Sequence, residues 1–373
     1  MCGFTFTVFL SAFQLLPAAP FRIRELGGST LASGLFLGFL TFASALSAPV
    51  TGAIADRIGR PRTLLIASLV IAGCSLVYAV SSSYRVMLAL VIVHGVFWSG
   101  LLTASGAFMT NMLPARRRAE GIGYWGLSSI AALALAPPVA FWILRYGWFW
   151  LCMSCVALNL LMAAIAWTLR ETDASRADAP AEPGGAAGHP VPRIEWRVLV
   201  LSLTLFLYSF GYGAITSFSA VYADALGITP KSIYLTTLAI VVFLTRPLSA
   251  TFADRIGHRF VFLPSLVLIA VGLGVLALRA TRAAFVASAM IFGLGFGTAY
   301  PVFIAYVMHD VDARRRGAAF GAVLLAFDTG VGSGSTTAGW LIQRFGFSAA
   351  FGAAAALAAI ALPYFLLADR RLR

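Results

Sequence analysis

Three ionisable side chains lie deep inside apolar segments of this chain. Asp328 follows the run LLAF, Arg246 follows FLT, and His94 follows VIV. Ionisable groups at such depth are rare and costly in apolar segments, and they often mark proton or substrate pathways. At about 1.5 Å rise per helical residue, Asp328 and Arg246 have similar predicted depths, so an ion pair between them is expected. That pair could be purely structural, and His94 could simply pack beside Gly95.

A second charged feature is the pentapeptide ADRIG, which occurs at 55–59 and again at 253–257. Each copy lies between two long apolar runs. An acid at the C-terminal end of a helix is disfavoured by the helix dipole unless it meets a cation or a helix N-terminus. A glycine permits a tight turn at the same place. The residues of the two turns that we expect to form a gate are Asp56, Arg57, Gly59, Arg60, Arg62, Asp254, Arg255 and Gly257.

The composition of the chain predicts a membrane protein built of helices. Of its 373 residues, 60% are hydrophobic and 11% charged, with a mean hydropathy of +0.89. Soluble chains carry about 25% charged residues. The net charge of +13 is clustered between apolar runs, which argues against nucleic-acid binding. Cys152 and Cys155 form an isolated C-x-x-C without nearby histidines, so neither a metal site nor a cofactor is expected.

Apolar runs long enough to cross a bilayer recur along the whole chain. The first run lacks a basic leader and is interpreted as a span. Because it starts so close to the first residue, we expect a few native residues to precede it. Residues 1–170 are predicted to form one six-helix bundle, 171–195 a linker rich in Ala, Pro and Gly, and 196–373 a second bundle. The predicted spans are 3–21, 29–53, 63–81, 85–111, 119–144, 148–169, 196–222, 231–252, 261–279, 283–308, 317–341 and 346–368.

The distribution of basic residues predicts the orientation. Of the 27 basic residues, 18 lie on one side, in the loops that contain the ADRIG turns, the loops with Arg116–Arg118 and Arg314–Arg316, the linker region and the C-terminal tail. Basic residues are enriched in cytoplasmic loops. We therefore expect a multi-pass protein of the bacterial inner membrane, with both termini in the cytoplasm.

A constant offset of 198 residues relates the two halves of the chain. It superposes ADRIG on ADRIG, Pro49 on Pro247, Gly95 on Gly293, and Arg116–Arg118 on Arg314–Arg316. Because each half has an even number of spans, the two copies have the same orientation, as in parallel repeats related by an axis along the membrane normal. By this symmetry Asp56 should meet the start of helix 11, and Asp254 the start of helix 5. The alternative is that both turns are only topology signals.

The stretch GAIADRIGRPRTLL resembles the loop 2–3 signature of the major facilitator superfamily, and ATFADRIGHRFVFL resembles its second copy between helices 8 and 9. The resemblance covers the whole chain and is closest to the bacterial twelve-helix efflux branch. It implies an all-α membrane fold of two parallel-repeat six-helix bundles and transport by alternating access. It also implies a cavity lined by helices 1, 4, 7 and 10, whose candidate substrate residues are Gln14, His94, Trp98, Tyr208, Tyr212 and Tyr300.

The expected function is therefore proton-coupled export of a small organic solute, amphipathic or neutral because the candidate cavity residues are mostly neutral and aromatic. The protein is expected to act as a monomer in the lipid bilayer. The chain has no P-loop lysine for ATP hydrolysis. Uptake or uniport of a metabolite is the first alternative, and a non-transporting sensor or assembly factor on the same fold is the second. An intramembrane enzyme is disfavoured, because the sequence has no nucleophile–base spacing.

Overall fold

The computed structural model describes residues 1–112, 118–169, 196–309, 311 and 316–372. Within these residues it contains twelve α-helices, one for each predicted span. The helices are α1 Cys2–Glu25, α2 Thr30–Ile58, α3 Arg60–Val80, α4 Tyr84–Met112, α5 Arg118–Ile143, α6 Trp148–Thr168, α7 Trp196–Ala225, α8 Ile233–Ile256, α9 His258–Leu278, α10 Arg282–Met308, α11 Arg316–Phe345 and α12 Phe347–Leu372. The predicted linker 171–195 lies outside the described residues.

The two halves share a glycine turn at one end of the bundle. Gly59 and Gly257 separate α2 from α3 and α8 from α9, with φ of 94° and 95°. L side chains rarely adopt such angles, so glycine is required at both turns. At the other end of the bundle, the Ser29 hydroxyl caps α2 and the Thr281 hydroxyl caps α10, each accepting a backbone N–H. We call the end with Gly59 and Gly257 the turn end, and the end with Ser29 and Thr281 the opposite end.

The outer surface of the bundle is apolar. Large side chains such as Trp167, Phe260 and Leu278 are mostly exposed on it. Ten of the described helices have the length and apolar composition to cross a membrane. α11, which contains Asp328, is not among the ten. α8 carries exposed apolar side chains on both sides of Arg246, such as Leu244 and Leu248.

Glycines allow the helices to approach closely. Gly330 and Gly334 of α11 lie against the backbone of α7 at Phe206 and Phe210. A Cβ atom added at Gly297 of α10 would lie 2.6 Å from Oγ1 of Thr245 on α8. Small residues of this kind let membrane helices pack backbone to backbone. The glycines therefore have a packing role.

Candidate functional site

The two halves are joined at the opposite end by α2 and α11. The Ser335 hydroxyl donates to the Gly34 carbonyl oxygen at 2.8 Å, and the Leu31 N–H donates to Oε1 of Gln343 at 3.2 Å. A Cβ atom added at Gly34 would collide with the Ser335 carbonyl oxygen. Nearby, Lys231 lies 4.9 Å from the ring centre of Phe21 on α1. We call this contact between α2 and α11 the seal.

The ADRIG carboxylates at the turn end are exposed. Asp56 is 70% exposed and lies 3.7 Å from Arg60 within its own turn. Asp254 is 77% exposed and lies 4.0 Å from His258, again within its own turn. The side chains at the starts of α5 and α11, where we expected partners in the other half, lie outside the described residues. The remaining arginines of the predicted gate, Arg57, Arg62 and Arg255, are also exposed.

Asp328 connects the two halves near the middle of α11. Its Oδ2 accepts a hydrogen bond of 3.3 Å from the hydroxyl of Ser44 on α2. This contact lies on the turn-end side of the seal, since Gly332 and Ser335 follow Asp328 towards the opposite end. A titratable group therefore lies next to the contact that joins the halves, on the side of that contact that faces the turn end.

The expected ion pair between Arg246 and Asp328 is wrong for this conformation. Among the described residues the two side chains do not come within 4.0 Å of each other, and Arg246 has no hydrogen-bond or ion-pair partner. Tyr300 and Tyr212 lie within electrostatic reach of Arg246. Tyr300 also lies within electrostatic reach of Asp328. Tyr300 is thus near both of the charges that were expected to pair.

Aromatic rings of the second half form one continuous surface beside these charges. The Tyr212 ring stacks on Phe296 at 4.5 Å between centroids, and Phe327 lies 5.1 Å from Tyr300 and 6.3 Å from Phe296. We call these four rings the aromatic shelf. Tyr208 is fully buried behind the shelf, edge-on to Phe296 at 6.2 Å. Of the predicted tyrosines, Tyr212 and Tyr300 therefore come together next to Arg246, and Tyr208 supports them.

The predicted cavity residues of the first half are mostly enclosed by other side chains of that half. Gln14 is buried, and its Oε1 accepts a hydrogen bond of 2.8 Å from the Ser154 hydroxyl on α6. His94 is buried with its ring 6.1 Å from that of Tyr78. Trp98 is half-buried and edge-on to Phe9 at 5.7 Å. In this conformation Gln14 and His94 belong to the packing within the first half.

Sequence reasoning missed a charged cluster at the turn end of the second half. Asp369, near the end of α12, is completely buried. It accepts a hydrogen bond from the Tyr306 hydroxyl, and its Oδ2 lies 3.4 Å from Nε of Arg259. Arg197 lies over the Tyr306 ring at 5.9 Å. The cluster therefore connects the ends of α7, α9, α10 and α12. A lone acid just before a basic tail was the only sequence signal.

We expect Asp369→Ala to destabilise the protein strongly, because breaking a buried ion pair leaves a charge without its partner and costs about 3–5 kcal/mol. Tyr306→Phe removes a single hydrogen bond and should cost about 1 kcal/mol. Thermal unfolding of the purified variants in detergent measures both effects. Glu25→Gln, at an exposed pair with Arg22, is the control. Equal melting temperatures for Asp369→Ala and Glu25→Gln would contradict this account of the cluster.

Twelve helices in two repeat-related halves, with charges at mid-depth between them, define a membrane transporter. A sequence model of the Major Facilitator Superfamily matches residues 1–238 and 201–373. The chain belongs to this family, whose members carry small molecules across the lipid bilayer by alternating access. It is accordingly a multi-pass membrane transporter and not an enzyme.

The chain is similar over nearly its whole length to bacterial relatives known only as MFS-type transporters. It is 27% identical over 373 residues to one from Burkholderia mallei, and 25% identical over 374 residues to YhhS of Escherichia coli. Each comparison covers 96% of this chain and 89% of the relative.

Solved structures share the same fold. A bacterial homologue of the human lysosomal transporter Spinster, in an inward-facing and occupied conformation, has a TM-score of 0.80 at 18% identity and covers 99% of this chain and 95% of its own. A mutant of the nucleoside transporter NupG has a TM-score of 0.79 at 13% identity, with 98% of both chains covered.

Proposed function

We propose that this transporter exports a small amphipathic organic solute in exchange for protons. The observation that carries the proposal is the Asp328 carboxylate, which accepts a hydrogen bond from Ser44 of the other half. A group that binds a proton at the junction of the halves can make the junction's stability depend on its charge. Loss of the proton favours the hydrogen bond from Ser44, and proton binding weakens it. Proton binding and rocking of the halves are thereby linked.

The proposed orientation places the turn end in the cytoplasm, because most of the basic residues lie there. In that orientation the seal closes the outer side of the protein, and the exposed ADRIG carboxylates lie on the open, inner side. The solute enters from the cytoplasm between the halves. It leaves after the seal opens and the turn end closes, with Asp56 and Asp254 at the starts of α11 and α5.

Purified protein in liposomes with an imposed pH gradient tests the proposal. A panel of neutral and singly charged aromatic solutes is offered, and solute movement is followed together with internal pH. We expect accumulation only with the gradient and loss of accumulation when nigericin collapses it. Flux that does not change with nigericin would favour the uniport alternative. Absence of flux for the whole panel would favour the sensor alternative.

The two ADRIG turns are expected to differ in importance. Only the first turn continues with two further arginines, Arg60 and Arg62, whereas the second continues with His258 and Arg259. Asp56→Asn should therefore reduce the initial transport rate about tenfold, the effect of roughly 1.4 kcal/mol on the closed state of the gate. Asp254→Asn should reduce it less. Rates in liposomes with matched protein content measure both, and equal effects or unchanged transport would contradict a gate centred on Asp56.

A further inference from the structure

Arg246 has no partner in a part of the protein where a lone cation is costly. It lies between the exposed apolar side chains of Leu244 and Leu248 on α8, and it is itself half-buried. Within the described residues no acidic side chain lies within 4.0 Å of it. A partly desolvated cation is strongly stabilised by an anion that forms charge-assisted hydrogen bonds with it. A guanidinium binds a carboxylate through two parallel hydrogen bonds.

The aromatic shelf lies beside this cation. Thr245 packs on Gly297, which brings α8 against α10 one turn before Tyr300. Arg246 lies within electrostatic reach of Tyr300 and Tyr212, both of which belong to the shelf. Phe296 and Phe327 complete it as two purely apolar rings. One cation at the edge of an apolar wall suits a solute with one anionic end and an apolar or aromatic body.

A second negative charge on the solute would be unfavourable. Asp328 also lies within electrostatic reach of Tyr300, on the side towards α2, where it accepts the hydrogen bond from Ser44. A dianion bound to Arg246 would therefore approach a carboxylate, and like charges at a desolvated site repel strongly. Arg246 is the cation with the main electrostatic effect on Tyr212 and Tyr300 of the shelf.

We propose that the transported solute is an amphipathic monocarboxylate, which binds Arg246 through its carboxylate and the aromatic shelf through its body. This inference rests on the proposed transport site between the halves and narrows its substrate class. It keeps the amphipathic solute of the two types expected from the sequence and assigns a negative charge to its polar end. The site requires neither proton coupling nor export, so it applies equally to a uniporter.

Equilibrium binding of three isosteric probes tests the inference. The purified full chain in lipid nanodiscs is titrated with 2-naphthoate, 2-naphthalenemethanol and 2-naphthalenemethylammonium, and empty nanodiscs correct for partitioning into lipid. We expect the carboxylate to bind about 10- to 100-fold more tightly than the alcohol, the factor of a charge-assisted hydrogen-bond pair. Equal binding of carboxylate and alcohol, tighter binding of the ammonium probe, or no binding of 2-naphthoate would overturn the proposal.

Variants then assign the preference to Arg246. Arg246→Gln should abolish the preference for the carboxylate, and Arg246→Lys should retain part of it. Arg282→Gln removes the same charge from an exposed position at the start of α10, so it should bind like the unchanged protein. A preference that survives in Arg246→Gln would overturn the assignment. Binding is measured without a pH gradient and therefore does not depend on proton coupling. If the liposome experiment shows no proton-coupled flux, that result counts against the proposed coupling and leaves the binding result unaffected.

Discussion

The Asp328→Asn variant is expected to lose solute accumulation driven by a pH gradient, with a reduction of about 100-fold or more in the gradient-dependent rate. The asparagine side chain has nearly the shape of the aspartate and can still accept a hydrogen bond from Ser44. It cannot gain or lose a proton in the physiological range. The change therefore removes the titratable group while it keeps the contact between the halves, and it separates coupling from packing.

Proteoliposomes with and without a pH gradient measure this loss. Exchange of labelled for unlabelled solute at equal pH, which needs no net proton movement, should persist in Asp328→Asn. Glu25→Gln neutralises an exposed carboxylate and should leave both activities unchanged. Ser44→Ala removes the hydrogen-bond partner and keeps the carboxylate, so coupling should survive at a lower rate. Gradient-driven accumulation by Asp328→Asn at the unchanged rate would exclude Asp328 as the proton-binding group.

The repeat made the arrangement of helices predictable. A constant offset between two charged turns established two equivalent halves, and the glycines at the turns have the positive φ angles that a tight turn requires. These features are local in sequence, since a turn and an apolar span depend on neighbouring residues. All twelve predicted spans correspond to helices in the described part of the chain. The predicted boundaries of the two bundles stay predictions.

The side-chain partners were less predictable, because depth along a helix does not define direction around it. Arg246 and Asp328 have similar depths, yet they do not pair, and Tyr300 lies within electrostatic reach of both. Gln14 and His94 lie at cavity depth but are enclosed by α6 and by Tyr78. The last predicted span ended at residue 368, yet the helix continues past Asp369 and buries it completely. Such pairings depend on rotation and tertiary packing.

The seal supplies the second prediction with a large expected effect. Gly34→Val places a branched side chain where even a single Cβ atom would collide with the Ser335 backbone on α11. Backbone atoms cannot move aside as a flexible side chain can, so the seal should open. Overpacking of this kind costs about 1–3 kcal/mol, which shifts a two-state population roughly 5- to 150-fold. The variant should therefore favour the state open at the opposite end and should transport slowly.

Labelling of a cysteine introduced at position 335 measures the shift directly. Ser335 contacts Gly34 across the seal and is completely buried, so Ser335→Cys in a cysteine-free background should react slowly with a membrane-impermeant maleimide while the seal is closed. Adding Gly34→Val should accelerate the reaction. Gly73→Val is the matched control, because an added Cβ at Gly73 of α3 meets no other atom within 4 Å. If Gly34→Val leaves both the labelling rate and the transport rate at the control level, the contact between α2 and α11 does not hold the opposite end closed. The alternation between the two open states must then depend on other contacts between the halves, such as that of Lys231 with Phe21.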